Sequence, residues 1–208
     1  MIHHGAAPDT YTDGAAVVRS YWNYHVNSLG WSDIGYNYLT DKFGNIYKGR
    51  MNADPQNQDC RGAHAGASNN ESIGVSFLGN SDVTIPTEAQ LDATAEFMGW
   101  WFNVRGYDPT ASANITLQSG GTASVPRICG HKDVNIGGTD CPGVALYADL
   151  ADLRNRTNAV INACNSLYIY GTSDSDFIDG VQLACIIHRK IKRICICQYT
   201  NILKPKNN

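Results

Sequence analysis

Apolar residues recur at helical spacing through Val17, Val18, Tyr21, Trp22 and Val26. This one-sided pattern predicts an amphipathic helix over residues 15–29, stopped by Gly30. Residues 33–41 alternate instead and are rich in aromatics, which predicts a strand. Lys42-Phe43-Gly44-Asn45 reads as a hairpin turn into a second strand at Ile46–Lys48. Residues 72–78 read as a buried strand. Thr87 with Gln90 resembles a capping box opening a helix through about Val104. Pro142 suits the first position of a final helix that runs through about Ala163. Between these elements, residues 51–71 form a polar Gly-, Asn- and Asp-rich stretch, long enough to suggest a binding loop. Residues 108–125, rich in Thr, Ser and Gly, are expected to be a second loop, and residues 126–129 a last strand. Strands interleaved with helices indicate an α/β or α+β layered domain.

With 43% hydrophobic and 17% charged residues, the 208-residue chain reads as a well-buried domain plus a tail. A net charge of -3 gives no electrostatic footprint for nucleic acid. No apolar run approaches the length of a membrane span. From Asn165 onward Arg189, Lys190, Lys192, Arg193, Lys204 and Lys206 outweigh Asp174, Asp176 and Asp179. The expected division is a domain over 1–163 and an unassigned, solvated tail over 164–208. In that tail His188 is not expected to be a ligand, and the Cys195-x-Cys197 pair is a poor metal signal without further ligands. Seven cysteines are an odd number, so at least one is unpaired, and Cys141 is the natural candidate. Cys60, Cys129 and Cys164 could supply a disulfide whose connectivity stays open.

The chemistry concentrates at two distant places, Ile2-His3-His4-Gly5 and the run from Gly130 to Gly143. Two imidazoles and one thiolate, from His3, His131 and Cys141, would supply three ligands to zinc and leave the fourth position open, the pattern of a catalytic site. With Pro142 opening a helix, Cys141 is expected where the helix dipole lowers the thiol pKa. Each of these residues alone is more often an ordinary core histidine or buried cysteine. His3 and His4 are adjacent on an expected strand and face opposite ways, so only one can readily join the other two ligands. A ligand at position 3 leaves almost no strand before it, and no signal-peptide pattern precedes it. The start is therefore expected to lack part of the first strand and any export signal.

Further fragments occur in order: Gly30-Trp31-Ser32-Asp33-Ile34-Gly35-Tyr36-Asn37-Tyr38, Gly44-Asn45-Ile46-Tyr47-Lys48-Gly49-Arg50, Gly62-Ala63-His64-Ala65-Gly66 and Ser72-Ile73-Gly74-Val75-Ser76-Phe77. With the two histidine segments they resemble the peptidoglycan recognition proteins and type 2 N-acetylmuramoyl-L-alanine amidases over residues 1 to about 163. The resemblance implies a central mixed sheet flanked by about three helices, with zinc at one end of a groove. It selects His3 over His4 as a ligand beside His131 and Cys141. It implies hydrolysis of the amide between N-acetylmuramic acid and L-alanine, with Tyr36 donating to the developing oxyanion or holding the water. Thr139 matches a position held by lysine or threonine in active relatives, although the stretch between His131 and Cys141 is longer here, through Ile136-Gly137-Gly138. His25, Arg61, His64 and Asn69 match positions that line the glycopeptide groove.

Gly30-Trp31 and Arg50 match features of members that prefer meso-diaminopimelate over lysine stems. No counterpart of the family's close cysteine pair is present, so no disulfide carries over. Recognition members that do not hydrolyse commonly lack the zinc cysteine. Retention of Cys141 favours the enzyme, and a non-catalytic peptidoglycan receptor is the alternative. The expected working form is a monomer acting on peptidoglycan outside the cell or in the periplasm and cell wall.

Overall fold

Ile2 and His3 are neighbours that face opposite sides of one sheet, and this alternation organises the domain. The computed structural model describes residues 1–5, 7–51 and 59–169. Its elements begin with β1 (Ile2–His4), α1 (Gly14–Asn23), β2 (Tyr38–Thr40), β3 (Ile46–Lys48), β4 (Val75–Phe77) and α2 (Glu88–Val104). They continue with β5 (Ser112–Thr116), β6 (Thr122–Pro126), α3 (Val144–Ala148) and α4 (Leu150–Ile169). The mixed sheet has the order β1-β4-β2-β3, with β1 and β2 parallel to β4 and β3 antiparallel to β2.

Register pairs His3 with Ser76 and Ser76 with Leu39, so all three point to one face. On that face Leu39 packs with Val18 of α1, Ile34, Tyr47 and Leu78. Ile2, Tyr38, Val75 and Phe77 point the other way, into Leu91, Ala95, Met98 and Phe102 of α2 and Leu150 and Leu153 of α4. The result is a layered α/β domain with α1 on one side of the sheet and α2 and α4 on the other. No helix among the described residues is long and apolar enough to cross a membrane.

Several expectations change in detail. The helix expected over 15–29 is α-helical only to Asn23 and then widens into a π-helical turn over Tyr24–Ser28. Asp13 caps its start by accepting from the Ala16 amide at 3.1 Å. Thr87 caps α2 through the Gln90 amide at 3.2 Å. The Gln90 side chain does not complete the box. It reaches the sheet and donates to the Thr40 carbonyl at 2.8 Å.

The stretch 108–125, expected as a loop, holds the hairpin of β5 and β6, in which Ile115 pairs with Ala123. Its inward positions, Ile115 and Val125, are few. The Thr- and Ser-rich outward positions therefore looked like loop, and Gly120 and Gly121 make the turn at φ 90 and 77. Residues 126–129 are not a strand of the sheet beyond Pro126, although Ile2 donates to the Cys129 carbonyl at 2.7 Å and bridges Gly130 in parallel.

Pro142 does not open a helix. It follows a cis peptide, and α3 starts at Val144. The final helix continues past Ala163 to Ile169, and the remaining tail, with His188, Cys195 and Cys197, lies outside the described residues. Among the described residues, Cys129, Cys141 and Cys164 are free thiols.

Candidate active site

β1 carries His3 to the α1 side of the sheet with 1% of its surface exposed. The chain at Cys129 and Gly130 runs beside β1, so His131 emerges at the same end. Two bonds brace that turn: Asp133 accepts from the Gly130 amide at 2.8 Å and from the Tyr147 hydroxyl at 2.7 Å. The Lys132 amide donates to the Cys141 carbonyl at 2.8 Å, returning Cys141 alongside His131. The Thr139 hydroxyl accepts from the Cys141 amide at 3.1 Å and fixes the approach to the thiol.

The donor atoms of His3, His131 and Cys141 consequently lie within 4.8 Å of one another. Nδ1 of His3 is 3.5 Å from the Cys141 sulfur. Nε2 of His131 is buried with no partner among the described residues, an orphan of the kind a metal ion satisfies. His4 faces away and accepts from the Ser81 amide at 3.1 Å. Two nitrogens and one sulfur converging with an orphaned imidazole fit zinc.

Burial sets the protonation of this cluster. It pushes the His3 pKa well below its usual value, with the charges of His64 and His131 adding to the effect. It also lowers His131. Both rings are therefore neutral and have a lone pair to give. Burial pushes the Cys141 thiol up to about 11, which overturns the expected dipole-lowered thiol. Cys141 does not stand at a helix start, since α3 opens only at Val144, and desolvation is the largest influence on its thiol.

Tyr36, just before β2, brings its ring centroid to 5.3 Å from that of His3. Burial raises its pKa, and the nearby Cys141 adds to the rise, so the phenol keeps its proton and remains a donor. Beside it the π-helical turn presents His25, whose ring stacks on Trp31 at 4.8 Å and 12°. Gly30, at φ 71, turns the chain so that the Trp31 amide donates to the His25 carbonyl at 2.9 Å. The Arg50 amide donates to the Tyr36 carbonyl at 2.9 Å, placing its side chain on the same wall. Its Nη2 donates to the Ser32 hydroxyl at 3.2 Å, and Nη1 is buried without a partner among the described residues. Burial lowers the His25 pKa and the Arg50 charge lowers it further.

Arg61 is exposed. Asn69 is 7% exposed, and its side-chain oxygen accepts from the His64 and Ala65 amides at 2.9 and 2.8 Å. It shapes the loop from inside, beneath the groove. His64 turns Nδ1 to within 2.9 Å of His3 Nε2. That contact has no local sequence signature, because it joins residues 61 apart in the chain.

Residues 1–144 match the family model described as N-acetylmuramoyl-L-alanine amidase. Peptidoglycan-recognition protein SC2 of Drosophila simulans is 32% identical over 74% of this chain and 73% of its own length. The N-acetylmuramoyl-L-alanine amidase of Homo sapiens is 31% identical over 70% of this chain and 22% of its own. Among solved structures, wild-type Drosophila PGRP-LB superposes with a TM-score of 0.55 at 27% identity, covering 72% of this chain and 76% of that one. The matched span contains all of the converging ligands, from His3 to Cys141, and the chain belongs to the family of peptidoglycan-recognition proteins and type 2 N-acetylmuramoyl-L-alanine amidases.

Proposed function

We propose that the chain is a zinc-dependent amidase that cleaves the bond between N-acetylmuramic acid and L-alanine, acting on peptidoglycan outside the cytoplasm. The observation that carries this reading is the convergence of His3, His131 and Cys141, with the His131 Nε2 orphaned and Tyr36 beside His3. A zinc ion held by these three ligands would polarise the amide carbonyl and acidify a water in its open position.

The chain's own groups supply the remainder. His3 and His131 are neutral and need lose nothing to act as ligands, while Cys141 gives up its proton. Tyr36, held protonated, donates its hydroxyl hydrogen to the carbonyl oxygen as negative charge develops there. Thr139 holds the Cys141 amide and keeps its own hydroxyl hydrogen for the substrate. The stacked His25 and Trp31 form a flat wall suited to sugar and peptide, with Arg61 exposed to solvent. Nη1 of Arg50, without a partner among the described residues, supports a preference for meso-diaminopimelate, whose extra carboxylate an arginine can grip.

Incubating the purified protein with cell-wall sacculi and zinc, and measuring newly freed L-alanine amino termini, tests the reading. Release that stops on chelation and in Cys141→Ser supports it. Binding of sacculi without release selects a receptor, the reading favoured by the many relatives known as recognition proteins.

A further inference from the structure

His64 makes its closest polar contact with a candidate ligand. Its Nδ1 lies 2.9 Å from Nε2 of His3, with the two rings edge-on at 4.8 Å and 77°. The opposite nitrogen of His3, Nδ1, faces the Cys141 sulfur at 3.5 Å. A neutral imidazole carries one N–H. If Nδ1 of His3 gives its lone pair, the proton sits on Nε2 and points at His64. For His64 to accept it, the His64 proton must sit on its own Nε2, a buried atom, and the Ser72 backbone acts on the ring as a hydrogen-bond acceptor.

The position is built to hold this ring. A Cβ on Gly62 or on Gly74 would come within 2.5 or 2.6 Å of the His64 ring carbon Cδ2, so both glycines leave space that the ring fills. The Asn69 side chain fixes the His64 backbone from inside the loop.

We propose that His64 is a positioning residue for the metal centre: by accepting the Nε2–H of His3 it holds His3 in the tautomer and orientation that aim Nδ1 at the point shared with His131 and Cys141. Metal-bound histidines usually make this second contact with a carboxylate, a carbonyl or water. Here the acceptor is an uncharged imidazole from a loop of the groove. The inference rests on the zinc reading above.

Two variants and one measurement on the unaltered protein test it. His64→Leu fills the space without an acceptor, whereas His64→Asn puts an amide oxygen where Nδ1 stands. Zinc affinity is read by competition with a chromophoric chelator, with no substrate present. His64→Leu is expected to weaken it by about 10- to 100-fold, the scale for losing such a partner, and His64→Asn to recover most of the loss. In the zinc-loaded unaltered protein, nitrogen NMR should find His3 protonated on Nε2 and coupled through the hydrogen bond to His64 Nδ1. That measurement still decides if His64→Leu fails to fold. Unchanged zinc affinity in folded His64→Leu, or His3 protonated on Nδ1, overturns the positioning role while leaving the amidase reading intact. Failure of the unaltered protein to take up zinc overturns the metal reading itself, and the positioning role with it.

Discussion

Arg50→Ala should separate the two stem chemistries. In the structure one guanidinium nitrogen of Arg50 is committed to the Ser32 hydroxyl at 3.2 Å, and Nη1 is buried without a partner among the described residues. A substrate carboxylate gains a charge-assisted hydrogen bond once the guanidinium turns Nη1 out of its buried position, and the Ser32 contact orients the fork. Such a bond contributes about 1.5–3 kcal/mol, which corresponds to about 10- to 150-fold in kcat/KM. The substitution should leave the fold intact, since the Arg50 main chain keeps its bond to the Tyr36 carbonyl at 2.9 Å.

The assay is kcat/KM on a matched pair of muropeptides that differ only in meso-diaminopimelate or L-lysine at the third stem position, with thermal unfolding as a control. The expected loss falls on the diaminopimelate substrate and spares the lysine one. Arg50→Lys should lie between, because an ammonium keeps the charge without the planar fork. Equal losses on both substrates, or no diaminopimelate preference in the unaltered protein, would refute the reasoning.

Tyr36→Phe should lower kcat by roughly 10²-fold with a smaller change in KM, the scale for one oxyanion donor, and a change confined to KM would make Tyr36 a groove residue. Zinc uptake near neutral pH should release one proton, because the Cys141 thiol, pushed up to about 11, must ionise while His3 and His131 are already neutral. Affinity should therefore rise with pH by about tenfold per unit below the thiol pKa, and calorimetry in buffers of different ionisation enthalpy would expose a release of zero. Leu153→Ala should cost about 2–5 kcal/mol of unfolding free energy, since Leu153 is 0% exposed between α4 and the sheet. A loss under about 1 kcal/mol in a denaturant titration would show that this layer repacks freely.

Most of the layered fold was legible because its long elements carry strong periodic signals. The α2 pattern with Thr87 before it located that helix nearly to its ends. The alternation over 33–41 marked a strand, of which only Tyr38–Thr40 joins the sheet, with Tyr38 packing toward α2 and Leu39 toward α1. What failed was governed by pairing and packing that local preference does not show. The β5–β6 hairpin buries only a few apolar side chains, so its Thr-rich strands look like loop until the two pair. Pro142 is compatible with a helix start by local preference alone. In the structure it packs closely against Gly130, where an added Cβ would meet the proline ring at 2.7 Å, and the helix starts only at Val144.

The site divides the same way. That His3, His131 and Cys141 could converge was readable from residue types alone, because zinc chemistry restricts which residues can serve. The charge state of the thiol was not, because a helix end and burial act on it in opposite senses and only the fold says which dominates. Nor was the inner layer. Asn69 and His64 carry polar side chains of the kind that line grooves, yet one spends its oxygen on two backbone amides and the other turns a nitrogen to His3. Sequence position places such residues in a loop, but the direction of each side chain follows from which backbone groups remain unsatisfied when that loop packs. The loop from Arg61 to Asn69 therefore joins the groove to the candidate metal site: the same short segment that presents Arg61 to solvent also reaches His3 from behind. A substitution there can change metal affinity and substrate affinity together, and only assays that separate the two will say which was touched.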